Sequence, residues 1–301
     1  MRLPPARLYA RLPTERSNPR VRDLDLKTTL QVVAAINAED RGVAAAVGRQ
    51  AQAIARAAEA AARSLASGGR LVLVGAGTSG RLAVMEAAEC PPTFNTRPSQ
   101  IMAVMAGGRS SVFRAKEGAE DDAKAGAASV AGLKKEDMVV GVAASGITAF
   151  VLAALQAARA RGCVTVLVTS NGRPPGDPAA IVIAPDVGPE VVAGSTRLKS
   201  GTAAKLVLNT LTTAAMVRLG KVYDHWMVDL KATNHKLRLR GVRMTTLVGG
   251  VPPKEAEGLF AASGRNVKTA VAMARLRCDV RRARAALAAA GGSLRRCLRG
   301  R

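Results

Sequence analysis

The sequence predicts an α/β protein built on a doubly wound parallel sheet, with an N-terminal helical arm and a small C-terminal helical domain. Three observations carry that expectation. Short apolar runs recur without polar alternation, each run ends in a glycine- or hydroxyl-bearing loop, and each loop leads into a helical pattern. Strands buried on both faces read as continuous apolar runs, and strands alternating with helices build parallel sheets.

Taken in order, residues 14–26 are polar and irregular. From Thr28 a helical pattern runs through TTLQVVAAINAED and an Ala-rich stretch to Ser67, where Gly68-Gly69 closes it. Residues 71–74 (LVLV) read as the first buried strand. After GAGTSG comes a helix over about 81–89, stopped by Pro91-Pro92. IMAVM at 101–105 leads through Gly107-Gly108 to a helix near 111–120. MVVGV at 138–142 leads through AASG to a helix over 149–160. VTVLVT at 164–169 and a short strand at 181–183 follow, and a long helix over about 200–219 closes the sheet domain. An arginine-rich segment to Arg243 precedes a helical unit from Pro252, with turns at Gly264 and Gly291-Gly292. The expected regions are therefore an arm with helices over 1–60, a sheet domain over 61–224, and a linker helix with a helical domain over 225–301.

Composition narrows the function classes. A chain of 301 residues can bury a sizeable core, and 48% hydrophobic against 22% charged residues excludes a disordered one. Aromatics are only 2%, with one tryptophan, Trp226, which argues against stacking platforms for bases or sugars. The net charge is +23, and residues 231–301 hold 17 Lys/Arg against 3 Asp/Glu, a local charge of +14. Such a region attracts polyanions non-specifically, but arginine-rich solvated helix faces are the favoured account, and no nucleic-acid reading element accompanies it. No specific nucleic-acid partner is expected.

Cys90, Cys163, Cys278 and Cys297 have no CxxC spacing, and His225 and His235 lie far from them in the chain. No metal site or disulfide framework is predicted, and a reducing, cytoplasmic setting fits better. No apolar stretch reaches the roughly 18 residues of a membrane span. The opening residues MRLPPARLYARLP are basic, interrupted by prolines and lack a hydrophobic core segment, so no secretory signal is expected.

Three strand-end loops are candidate phosphate sites. Gly75-Ala76-Gly77-Thr78-Ser79-Gly80 combines glycines, which let backbone amides approach an anion, with two hydroxyl donors at a helix start. It lacks the Lys-Ser/Thr of a Walker loop and the acidic residue that ribose binding wants. Ala144-Ser145-Gly146-Ile147-Thr148 has the same placement. Gly194-Ser195-Thr196-Arg197-Leu198-Lys199 brings two hydroxyls and two cations before the long helix. Together they suggest the phosphate of a small molecule rather than a nucleotide.

Carboxylates form two groups. Glu86 and Glu89 stand three apart on one expected helix, and Glu89 in its last turn would have a raised pKa, as a general acid needs. Glu117 and Glu120, in EGAEDD, would share a face of the next helix. Solvated carboxylates near helix ends are the plain alternative. Both groups follow neighbouring strands close to the proposed phosphate loops.

These residues resemble a known family. GAGTSGRL…ECPPTF, KEGAEDD, VGVAASGIT, GPEVVAGSTRLKSGTAAKLVLN and KATNHKL are similar to the N-acetylmuramic acid 6-phosphate etherases, of the sugar isomerase (SIS) fold group. The resemblance runs from TERSNP near residue 14 to GRNVKTAVAMA, which is similar to the family's ubiquitin-associated-like helical domain. It implies a dimeric cytoplasmic lyase, with its site near the subunit interface, that removes D-lactate from the C3 ether without metal or organic cofactor. It further implies Glu89 as the acid and Glu120 as the second catalytic glutamate. Thr78, Ser79, Ser145, Gly146 and Thr148 would bind phosphate, with Ser195 and Thr196 as neighbours.

The glucokinase regulatory protein shares these motifs, so a non-catalytic sugar-phosphate-binding regulator is the alternative. The chain departs from the family pattern at Ala88, Arg109, Lys116, Ile147, Ala149, Ala193 and His225.

Overall fold

The computed structural model describes residues 12–172 and 174–299. The opening basic residues 1–11 lie outside the described part. Contacts divide the chain into two compact units, residues 12–87 with 99–212, and residues 88–98 with 213–299.

The first unit begins with an irregular stretch carrying two 3-10 turns, at Pro13–Glu15 and Leu24–Leu26. Three helices follow where one long helical run is expected: α1 (Thr29–Asp40), α2 (Val43–Gly48) and α3 (Ala51–Ala66). Thr28 starts α1 with a capping box, its hydroxyl accepting from the Gln31 backbone amide while the Gln31 side chain accepts from the Thr28 backbone amide. The strands are β1 (Leu71–Gly75), then β2 (Ile101–Met105) after helix α4 (Gly77–Phe94). Helix α5 (Ala123–Ala128), β3 (Met138–Val142) and α6 (Ala149–Arg159) come next. β4 (Val164–Val168), β5 (Ile181–Ile183) and the long α7 (Lys199–Arg218) complete the series.

All five strands are parallel, in the order β2-β1-β3-β4-β5. Alternate side chains face opposite ways along a strand, and both faces of this sheet are covered. Val72, Val74, Val139 and Leu167 pack with Phe150, Val151, Ala154 and Leu155 of α6. Leu71 and Leu73, on the other face, are equally inaccessible, and α3 packs on the sheet. Strand order reverses between β1 and β3, so the crevice outside their carboxyl ends is where a sheet of this topology takes ligands.

Two helical expectations are corrected. α4 does not stop at Pro91-Pro92. Proline keeps a helical φ, so the turn continues although neither ring nitrogen can donate to the carbonyls of Ala87 and Ala88. Asn95 closes it, donating to the Pro91 carbonyl at 2.9 Å with a left-handed φ of 52°. Nor is there a helix over 111–120. A short 3-10 turn at Arg109–Val112 is followed by turns, because Gly118 takes a left-handed φ of 72° that breaks a helix. Glu117 and Glu120 therefore share no helical face.

The second unit is helical: α8 (His235–Gly249), α9 (Pro253–Ala262), α10 (Val267–Leu276), α11 (Val280–Ala289) and α12 (Leu294–Arg299). Asn234, Asn266 and Asp279 cap α8, α10 and α11 by accepting from backbone amides. Gly241 lets the Phe260 ring lie against α8, where a Cβ would come within 2.4 Å of it. The buried Asp229 carboxylate joins Lys221 at 2.9 Å and Lys268 at 2.8 Å, and burial lowers the pKa of Lys268. No helix of the described residues is long and apolar enough to cross a membrane.

Candidate functional site

The loops after β1 and β3 meet the loop before α7 around a pocket of about 300 Å³ in the first unit. Thr78, Ser79, Ser145, Thr148 and Thr196 line it, together with Glu120, Asp121, Thr14 and Glu15. The wall is rich in hydroxyl-bearing residues.

Each loop has a local reason for its shape. Gly75 and Gly80 press together where β1 turns into α4, and a Cβ on either would come within 2.6 Å of the other's backbone. That close approach places the first turn of α4, with Thr78 and Ser79, at the pocket. A helix start there presents amides and the positive end of the helix dipole. In the second loop Gly146 adopts φ 74°, with its amide donating to the Ala143 carbonyl. Asn171 and Thr169, at the end of β4, hold this loop from behind. The Asn171 amide group donates to the Ser145 carbonyl at 3.0 Å, and the Thr169 hydroxyl donates to the Ala144 carbonyl at 3.0 Å. Thr148 precedes α6 without using its hydroxyl as a cap. Gly146 and Ser195 are not in the pocket lining; Gly146 shapes its loop, and Ser195 belongs to the turn that carries Thr196.

Glu120 is exposed and its main chain is anchored, with the Phe150 amide of α6 donating to its carbonyl at 2.9 Å. The loop leading to it is pinned from α4, where the Arg81 guanidinium donates to the carbonyls of Val112 at 2.8 Å and Ser111 at 3.0 Å. Glu86 is buried, not solvated. Asn209 and Thr212 of α7 donate to its carboxylate, the latter at 2.5 Å, so it ties α4 to α7. Glu89 lies on the stretch of α4 that belongs to the second unit, exposed, with its carbonyl accepting from Thr93 at 2.8 Å. Because α4 runs on to Phe94, Glu89 is not in the last turn, and the helix-end reason for its acidity falls away.

A buried charge network stands behind the third loop. The Glu190 carboxylate, fully inaccessible, accepts from the amides of Lys199 and Ser200 at 2.9 Å each and so caps α7. The Lys199 ammonium lies 2.6 Å from Glu39, which also accepts from Asn18 at 2.8 Å and is held bidentately by Arg20. Hydrogen bonds from Arg20 foremost, with Lys199 and Asn18, outweigh the effect of burial and pull the Glu39 pKa from 4.5 down to about 2. Among the described residues no group of three or more His, Cys, Asp or Glu could hold a metal ion.

Sequence reading missed Thr14, Glu15 and the Glu39–Lys199 network. The signal for the first two was faint, a Thr-Glu pair in an irregular stretch ending in Asn-Pro. The network joins residues 160 positions apart, which no local pattern reports.

A parallel sheet with a glycine-bounded polar pocket at its strand reversal places the chain among the doubly wound, ligand-binding α/β proteins. Consistent with it, the profile of the glucokinase regulatory protein N-terminal SIS domain matches residues 53–159. The chain is 46% identical to the N-acetylmuramic acid 6-phosphate etherase of Salinibacter ruber over 96% of its own length and 94% of the relative's. It is 47% identical to that of Cronobacter sakazakii and 43% identical to that of Geobacillus thermodenitrificans, each over 95% of this chain and 98% of the relative. This chain belongs to the N-acetylmuramic acid 6-phosphate etherase family.

Proposed function

We propose that the protein is a carbon–oxygen lyase that cleaves the D-lactyl ether of N-acetylmuramic acid 6-phosphate. The products are N-acetylglucosamine 6-phosphate and D-lactate. The observation that carries this reading is the near full-length identity to etherases of that name. The hydroxyl-lined pocket at the strand ends supports it as a seat for the phosphate.

The chemistry needs a base, an acid and a fixed substrate. In the open-chain sugar the C2 proton lies beside an aldehyde and is acidic enough for a carboxylate to remove. The electron pair left at C2 forms a C2–C3 double bond as the C3–oxygen bond breaks, and an acid protonates the departing lactate oxygen. Water then adds, hydroxyl to C3 and proton to C2. Glu120, in the pocket wall, is proposed as the base. Glu89 is proposed as the acid on the family resemblance. Thr78, Ser79, Ser145 and Thr148 are proposed to hold the phosphate, with Gly146 giving their loop its shape and Ser195 and Thr196 flanking it.

The same resemblance supports a cytoplasmic homodimer with its site near the subunit interface, and a ubiquitin-associated-like fold for the C-terminal helices. The four free cysteines suit a reducing compartment. Incubating the purified protein with N-acetylmuramic acid 6-phosphate should release D-lactate and N-acetylglucosamine 6-phosphate in equal amounts. Tight sugar-phosphate binding without lactate release would instead favour the regulator, which the match to the glucokinase regulatory protein profile keeps as the second reading.

A further inference from the structure

Resting on the sugar-phosphate reading of the pocket, we propose that Glu15 is a substrate-binding carboxylate. It grips a hydrogen-bond donor of the sugar while the hydroxyl loops hold the phosphate.

The stretch carrying Glu15 has little regular structure, two short 3-10 turns, yet it is held at several points. Leu12, Thr14 and Asn18 are buried. The Gly194 amide donates to the Thr14 carbonyl at 3.0 Å, fixing the turn to the third loop. Asn18 donates to the Pro189 carbonyl at 3.1 Å and to Glu39, and so locks the arm into the network that ends at Lys199. Between these attachments the turn forms part of the pocket wall with Thr78, Ser79, Ser145, Thr148 and Glu120.

The Glu15 carboxylate is itself oriented. The Thr14 hydroxyl donates to Oε1 at 3.0 Å, and Oε2 lies over Gly194, 3.3 Å from where a Cβ would stand. Among the described residues no salt bridge engages it, and the side chain is open to the pocket. An ionised carboxylate only accepts hydrogen bonds, so its partner in a ligand must be a donor. A phosphate offers like charge instead and is repelled. Glu15 therefore sorts the ligand end to end, with phosphate toward the hydroxyl loops and sugar hydroxyl or amide N–H toward the arm. It is a specificity residue for a phosphorylated sugar over phosphate alone.

Titration calorimetry with N-acetylglucosamine 6-phosphate and with inorganic phosphate tests this on the full-length protein. Glu15→Ala should weaken the sugar phosphate by about ten- to a hundredfold, the range for a hydrogen bond to a charged group. The same variant should bind inorganic phosphate as well as the parent or better. Glu15→Gln, which keeps an acceptor oxygen, should lose less. Thermal denaturation should show both variants folded, because the side chain is exposed. An unchanged sugar-phosphate affinity, or an equal loss for both ligands, overturns the proposal. If lactate is released normally and Glu15→Ala binds as the parent does, the inference fails while the lyase reading stands. If no lactate is released but the selective loss appears, the reverse holds. A parent protein that does not bind N-acetylglucosamine 6-phosphate overturns both.

Discussion

The ammonium of Lys199 lies 2.6 Å from a carboxylate oxygen of Glu39, and both side chains are buried. This pair connects the start of α7, the end of α1 and, through Asn18, the arm that carries Thr14 and Glu15. Breaking one partner of a buried pair leaves an uncompensated charge, which is far costlier than losing a surface contact.

The network sets an acid limit. The folded-state pKa of Glu39 is lowered from 4.5 to about 2, so its contribution to stability is fully present above pH 4.5. It is lost as pH falls through the interval down to about 2, when the folded protein must also accept the proton. The shift corresponds to up to about 3 kcal/mol. Denaturant midpoints measured from pH 7 to pH 2.5 should fall more steeply for the parent than for Glu39→Gln, which starts less stable at pH 7. Parallel profiles would show that the network contributes nothing specific.

Hydroxyl loss in the loops should cost binding and not folding. Ser79→Ala and Ser145→Ala are expected to weaken sugar-phosphate binding by on the order of 1.5–3 kcal/mol each, the worth of a hydrogen bond to a charged phosphate. Their thermal midpoints should hardly move, since Ser145 offers only a long 3.4 Å contact to the Ile147 amide. Unchanged affinity in both variants would remove the phosphate assignment.

The two carboxylates proposed as base and acid should fail differently. With Glu120 as base, Glu120→Gln loses lactate release and also exchange of the C2 hydrogen with deuterated solvent. With Glu89 as acid, Glu89→Gln loses lactate release but still exchanges C2, because proton removal precedes bond cleavage. NMR of the substrate in deuterium oxide reads both. The opposite pattern reverses the roles, and full activity in both variants would rule out the carboxylate mechanism.

Much of this protein is readable from local sequence because the relevant physics is local. The buried strands show as apolar runs such as LVLV and MVVGV, and all five appear where those runs stand. Helix starts at Thr28, Asn234, Asn266 and Asp279 carry their own capping side chains. The glycine-and-hydroxyl composition of 75–80 and 144–148 marked loops that do line one pocket. Where local rules compete, local reading failed. Pro91-Pro92 is a helix stop by propensity, yet α4 continues four residues from Pro91 to its end. EGAEDD has helix-forming residues, yet Gly118 and the bonds from Arg81 and Phe150 hold it as turns.

By itself the sequence determined the fold class, the family and the residue types available for chemistry, because periodicity, glycine placement and long motifs are properties of neighbouring positions. Only the tertiary structure decided which of them meet. The reversal between β1 and β3 brings residues 78–79 beside 145–148. The Gly194–Thr14 bond adds an arm from 180 positions earlier. It also decided that Glu86 is a buried tie to α7 whereas Glu15 faces the pocket, since a carboxylate's role follows from the partners around it. Those partners are brought together by strand order and long-range burial, and neither is encoded in the spacing of adjacent residues.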